Sequence, residues 1–395
     1  MDFIKRIAPL SEHLEKKSCF LFGPRNTGKS FWIKKLFPNS LFIDLLLSKK
    51  RLVLEKDPSE LIEMVKFFVS QKKDKGLTFV IIDEIQKIPA LLDEIHHMIE
   101  EDFFKNVRFL LTGSSARKIK LENGNMLAGR ARKLFFFPLT WKELFDAGKF
   151  DLNHFLLYGG IPSIYLSKNP QDILDDYINT YLQDEIIREC RIRNISGFEK
   201  FLVAAAQLSG ELINYANLSR DAQIPQSSIK NYFQVLEDTL VCYRLPPWNS
   251  PKLKSIQTEK FYLFDIGLKW FLSNTQVILP KTTQFGSAFE HFILQEIISW
   301  SSYSRSNKKI SFWRDDHMHE IDVILGDDYA IEIKSTQKVD SSYLKNLRFI
   351  AKDNKWTGKE RLLVSLDTNN TQTKDGILCM YYEYFLKNLW NNLYL

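Results

Sequence analysis

Over the first 140 positions, short unbroken apolar runs alternate with longer amphipathic stretches. Positions 18–22, 41–45, 79–83 and 108–112 are runs of strand length bounded by Gly, Pro or polar residues, and read as buried strands. Positions 59–71 and 90–101 carry helical spacing, and 132–137 reads as a fifth strand. This alternation predicts an α/β fold, a parallel sheet with helices on both faces. The pattern breaks at Tyr158-Gly159-Gly160-Ile161-Pro162. Beyond it, 171–193 is charged and helical, and 198–208, 218–222 and 227–240 read as consecutive helices closed by Pro246-Pro247. From 287 onward a helix precedes strands at 310–313, 321–325 and 329–333.

Composition narrows the class. A chain of 395 residues holds two or three domains at roughly 150 residues each. With 45% hydrophobic and 26% charged residues, neither a mainly disordered nor a collagen-like chain is expected. The net charge of +6 permits a nucleic-acid partner without demanding one. Cys19, Cys190, Cys242 and Cys379 are scattered with no CxxC pair, which predicts free thiols in a reducing compartment. The segment Met1-Asp2-Phe3-Ile4-Lys5-Arg6 lacks the apolar core of a signal peptide, and no apolar run is long enough to span a membrane. A cytoplasmic location without a membrane partner is the expectation.

Gly23-Pro24-Arg25-Asn26-Thr27-Gly28-Lys29-Ser30 fits GxxxxGK[ST] between a predicted strand and a predicted helix at 31–36. Glycines let successive backbone N–H groups converge on one point, and the helix N-terminus favours an anion there. ATP with Mg²⁺ is the expected ligand. Lys29 is expected to reach its β- and γ-phosphates, and Ser30 to offer a hydroxyl to Mg²⁺. Phe79-Val80-Ile81-Ile82-Asp83-Glu84 is a buried strand that delivers two carboxylates at the edge where ligands bind in such sheets. Asp83 is expected to hold Mg²⁺ through water and Glu84 to polarise the attacking water; the alternative is a strand ending in solvated acids. Thr112, in Thr112-Gly113-Ser114-Ser115, either senses the γ-phosphate or serves a turn and helix cap. Arg130, in Gly129-Arg130-Ala131-Arg132, is either an arginine finger, within or between subunits, or one half of a surface salt bridge.

Together these segments resemble the AAA+ ATPases, specifically a bacterial and archaeal group carrying GPRxxGKS, a strand ending IDEIQ, then LTGSS, LAGR and a GGxP turn. Here those are residues 23–30, 82–86, 111–115, 127–130 and 159–162. The resemblance implies a nucleotide-driven conformational machine that works as a homo-oligomer, with Gly159, Gly160 and Pro162 at the entry to a helical lid.

In the middle block, Ile229, Tyr232, Phe233, Leu236 and Leu240 fall on one helical face, leaving Gln226, Ser228, Lys230, Asn231 and Gln234 mostly opposite. A short helix, a tight turn at Ile224-Pro225-Gln226 and a longer amphipathic helix make a helix-turn-helix arrangement. Residues 243–248 and 260–264 are candidate wing strands, with Lys252 and Lys254 at the tip. DNA contact and packing between domains both remain open for this block.

Near the carboxyl end, Glu290 lies early in a helix, Asp322 begins a strand, and Glu332 and Lys334 lie two apart on the next, so they share a face. The turn Gly326-Asp327-Asp328 predicts a hairpin that brings Asp322 beside them. Asp322 and Glu332 are candidate Mg²⁺ ligands and Lys334 a group to position water. The pattern resembles the PD-(D/E)xK nucleases, with Ile321 in place of the proline; the alternative is an edge strand of alternating charges. As a whole the chain resembles ATPases that join an AAA+ module to a nuclease-like domain. The predicted division is an ATPase core at 1–155, a helical lid at 156–194, a winged-helix module at 195–275 and a nuclease-like α/β domain at 276–395. Three functions follow: an ATPase acting on DNA with a metal-dependent nuclease-like domain, a nucleotide-switched DNA- or protein-binding regulator whose nuclease-like domain is silent, and, disfavoured by the extra domains, a nucleoside kinase.

Overall fold

The strands predicted in the first third all form, and they lie side by side. β1 (Cys19–Phe22), β2 (Leu41–Asp44), β3 (Thr78–Asp83), β4 (Val107–Gly113) and β5 (Arg132–Phe135) make one parallel sheet in the order β2-β3-β4-β1-β5. Their runs are unbroken because both faces are covered. Phe20, Phe22, Ile82 and Leu111 pack with Leu91, Ile95 and Met98 of the helix Leu91–Glu100. Cys19, Leu21, Ile81 and Leu110 pack with Trp32 and Ile33 of the helix Lys29–Leu36. β4 lies between β1 and β3, so the C-terminal ends of the phosphate-loop strand and the acidic strand flank its own.

The computed structural model describes residues 4–73, 76–114, 127, 129–187, 192–248, 256–352, 358 and 360–395. The chain divides into two compact units: Arg6–Phe137 with Asp238–Leu240, and Pro138–Glu237 with Val241–Leu395 and the residues before Arg6. Residues 138–155, grouped with the ATPase core by sequence, fall in the second unit. There Leu139, Trp141, Leu144 and Phe155 share a buried cluster with Phe289, Phe292 and Ile293 of the long helix Thr283–Ser304.

In the second unit, the charged stretch after 170 is a helix at Pro170–Tyr177 that changes to π-helical winding over Ile178–Glu185. The helices Ile195–Leu208, Tyr215–Ala222 and Gln226–Asp238 follow. Asn214 caps the second, its side chain accepting from the Asn217 N–H at 3.0 Å. In the third, Ile229, Tyr232, Phe233 and Leu236 are buried as the spacing predicts, while Leu240 lies beyond the helix end. An antiparallel pair, β6 (Cys242–Leu245) and β7 (Lys260–Leu263), completes this block. Lys252 and Lys254 lie outside the described residues, as does Cys190.

The carboxyl-terminal sheet has six strands in the order β12-β13-β11-β10-β9-β8: β8 (Ile310–Arg314), β9 (Glu320–Leu325), β10 (Tyr329–Lys334), β11 (Glu360–Ser365), β12 (Thr371–Gln372) and β13 (Ile377–Tyr381). β9 and β10 form the predicted hairpin, with Ile331 opposite Val323. β10 also pairs in parallel with β11, so it is a central strand and the edge-strand alternative fails. Phe289, Phe292 and Phe385 from two helices pack one face, and Leu347 and Ile350 pack the other. Among the described residues no helix is long and apolar enough to cross a membrane.

Candidate functional site

The phosphate loop runs from the end of β1 into the helix Lys29–Leu36. Gly28, at φ 85°, takes a left-handed turn that a side chain would disfavour, and the helix opens from it. Arg25 and Asn26 form the crest of the loop, Asn26 also at positive φ. Beneath it, Thr27 Oγ1 donates to the Pro24 carbonyl at 2.8 Å. Arg6 donates to the Thr27 carbonyl at 2.8 Å and to the Phe137 carbonyl at 2.6 Å, and stacks 4.0 Å over the Phe136 ring. The sequence carried no signal for this brace.

Lys29 is buried, and its ammonium donates to the carbonyls of Gly23 at 2.5 Å and Pro24 at 2.7 Å. Burial lowers its pKa to about 8, even with the carboxylates of Glu84 and Asp83 nearby. Ser30 Oγ donates to Asp83 Oδ2 at 2.6 Å. Thr112 Oγ1 donates to the other Asp83 oxygen and receives the Glu84 N–H at 3.4 Å. A hydroxyl beside a buried carboxylate is a donor set that fits the Mg²⁺ carried by a nucleotide. Asp83 and Glu84 are 3% and 7% exposed, so the strand does not end in solvated acids.

Glu84 sits at φ 62°, a conformation rare for a side chain of this size. Its Oε2 receives the Gln86 amide and the Ser114 hydroxyl, the latter at 3.3 Å, with Arg25 3.9 Å away. Gln86 is itself held by Ser114 at 3.1 Å and lies close over Gly113, where a Cβ would come within 2.6 Å of Gln86 Oε1 and displace the amide. The motif IDEIQ contained Gln86, but nothing in the sequence gave it this task. Arg130 is partly exposed and paired with Glu100, whose pKa that contact lowers.

The carboxyl-terminal residues also come together. Lys334 Nζ lies 2.7 Å from Glu332 Oε1 and 3.5 Å from Asp322 Oδ2, and Asp322 Oδ2 accepts the Ile333 N–H at 2.7 Å. Glu290 Oε1 accepts from Tyr262 at 2.7 Å and lies 3.4 Å from Lys260 Nζ. Burial pushes Asp322 up to about 6 and Glu332 up to about 8, the second aided by the Asp322 charge. Glu332 Oε2 is buried without a hydrogen-bond partner. Among the described residues no group of three His, Cys, Asp or Glu side chains is arranged to hold a metal. An ammonium lies against each of Glu290, Asp322 and Glu332. Lys260 and Tyr262 were missed by sequence; the one trace was a lysine opening an otherwise apolar strand.

A phosphate loop, a hydroxyl–carboxylate pair and a polar residue on the strand between them form a site with the layout of a P-loop nucleotide pocket. Residues 15–145 match the family described as an AAA domain. Residues 149–277 match a domain of unknown function, DUF8612, and 285–385 another, DUF4143. An uncharacterised protein of Mycobacterium tuberculosis is 26% identical over 272 residues, 66% of this chain and 60% of its own length. The chain thus spans about three-fifths of that relative. An uncharacterised protein of Methanocaldococcus jannaschii is 22% identical over 353 residues, 78% of this chain and 72% of its own length. Among solved structures, the Aeropyrum pernix ORC2 protein aligns with a TM-score of 0.37 and 12% identity, covering 67% of this chain and 89% of that one. The Thermotoga maritima RuvB branch migration motor aligns with a TM-score of 0.28 and 15% identity, covering 60% and 87%.

Proposed function

We propose that the chain is a Mg²⁺-dependent ATPase that couples nucleotide binding and hydrolysis to conformational change and acts on DNA, as a homo-oligomer in the cytoplasm. The observation that carries it is the convergence on Asp83 of the Ser30 hydroxyl at 2.6 Å and the Thr112 hydroxyl, with Glu84 beside them. In this reading Gly23 to Ser30 cradle the phosphates and Lys29 leaves the loop carbonyls for them. Ser30 and Asp83 receive the magnesium that arrives with ATP, and Glu84 polarises water. Thr112 reports the γ-phosphate to Asp83. Arg130 serves a neighbouring subunit once released from Glu100. DNA contact falls to the exposed face of Gln226–Asp238, where Gln226, Lys230, Asn231 and Gln234 are exposed, in a block read as a winged helix.

The test is ATP turnover by the full chain with and without duplex, single-stranded and branched DNA. Turnover that rises with one DNA and vanishes in Lys29→Ala is expected. No turnover in the wild type, or turnover indifferent to Lys29→Ala, sinks the proposal.

A second reading concerns the C-terminal domain: a nuclease-like scaffold that does not cut. It is supported by Lys260, a lysine outside the E-x-K pair, whose ammonium lies 3.4 Å from Glu290 Oε1. Cleavage of any DNA that disappears in Asp322→Ala would overturn it.

A further inference from the structure

We infer that Lys260 supplies, from within the chain, the positive charge that a divalent ion would otherwise bring to the carboxylate cluster of the six-stranded sheet, and so closes that cluster to metal. The inference deepens the silent-scaffold reading and rests on it.

Lys260 is not a residue of that sheet. It opens β7, pairs with Leu245 of β6, and bridges to Leu212 on its other side, so its backbone is held from two directions. Its side chain is 3% exposed, which is rare for lysine unless the ammonium is paired. The ammonium lies 2.5 Å from Glu320 Oε1 and 3.4 Å from Glu290 Oε1. Glu290 also accepts the Tyr262 hydroxyl at 2.7 Å, from the same strand. Glu320 also pairs with Arg314 at 3.1 Å, and Lys334 serves Asp322 and Glu332. The carboxylates of Glu290, Glu320, Asp322 and Glu332 are thus met by three internal cations, Lys260, Lys334 and Arg314.

Hard divalent ions need several oxygen ligands converging on one point. Here Glu290, the helix carboxylate that would complete such a set, is turned to Lys260 and Tyr262. A divalent ion entering beside an ammonium that is fixed by a strand would meet like charge in a site of low dielectric. Replacing Lys260 with an uncharged side chain of similar length removes that repulsion and frees both Glu290 and Glu320.

The experiment is Mn²⁺ titration of the nucleotide-free full chain, read by the electron paramagnetic resonance signal of free Mn²⁺. Wild type and Asp322→Asn are expected to titrate alike. Lys260→Met is expected to gain one Mn²⁺ per chain, bound at least tenfold more tightly than any ion in the wild type, and to lose it again in Lys260→Met with Asp322→Asn. A wild type that binds Mn²⁺ through Asp322 overturns the inference, as does a folded Lys260→Met that gains nothing. If Lys260→Met does not fold, the comparison of wild type with Asp322→Asn decides alone. DNA cleavage, followed in parallel, judges the silent-scaffold reading separately: a chain can bind Mn²⁺ at Asp322 and still not cut.

Discussion

Lys29 donates to the very loop whose amides await the phosphates, and burial holds its pKa at about 8. Bound phosphates favour the charged ammonium, so the pKa rises on binding. Above pH 8 nucleotide binding therefore takes up protons, and affinity falls as pH increases toward 10. Calorimetry at pH 8.5 in two buffers of different ionisation enthalpy checks this; binding heats independent of buffer contradict it. Gln86 acts on the neighbouring carboxylate. With its amide gone, Glu84 loses one of the two donors that orient it, the other being the Ser114 hydroxyl. Gln86→Ala is expected to lower kcat for ATP about tenfold, or about 1.4 kcal/mol, with KM unchanged. A matching loss of affinity would instead make Gln86 part of the binding loop.

The helix Gln226–Asp238 separates its duties by face. Phe233 is fully buried among Phe201, Tyr215 and Phe261. Phe233→Ala is expected to cost about 3–5 kcal/mol in denaturant unfolding. Lys230, on the exposed face, is expected to change stability by less than about 0.5 kcal/mol when replaced by Ala. If this face meets DNA, the same change lowers the salt dependence of DNA binding by about one unit in log–log slope. An unchanged slope assigns the face to protein packing. The six-stranded sheet shows the same division of roles. β10 was legible as Ile-x-Ile alternating with Glu and Lys, yet its central position came from β11, a pairing partner that periodicity did not reveal.

The whole chain holds two compact units, and only one carries the phosphate loop. Scanning calorimetry is expected to resolve two transitions. Nucleotide at about 100 times its Kd should stabilise one of them by about 2.7 kcal/mol and leave the other in place. A single transition that moves as one refutes this. The second unit has its own pH response. Glu296, 1% exposed, accepts from the Trp141 N–H and the Trp390 indole, each at 2.8 Å. Burial raises its pKa from 4.5 to about 8. Between those values the folded unit keeps a proton that the unfolded chain has lost, so this group makes stability fall as pH rises through the window and level off above it. Glu296→Gln should flatten the dependence of that transition on pH between about 5 and 8.

Most of what depends on near neighbours in the chain was written in the sequence, the Gln86–Glu84 contact being an exception. The five buried runs, the eight residues of the phosphate loop, the Asp83-Glu84 pair and the β9–β10 hairpin each follow from spacing within one element or one turn. What tertiary packing alone decided was which distant charges share a buried space. Strand order brought Thr112 to Asp83, and the packing of Leu139, Trp141 and Phe155 against the helix Thr283–Ser304 groups 138–155 with the second unit. A strand from another block carried Lys260 to Glu290 and Glu320. Charge is felt through space and strengthened by burial, so its partners are set by the folded path of the chain, which periodicity does not encode.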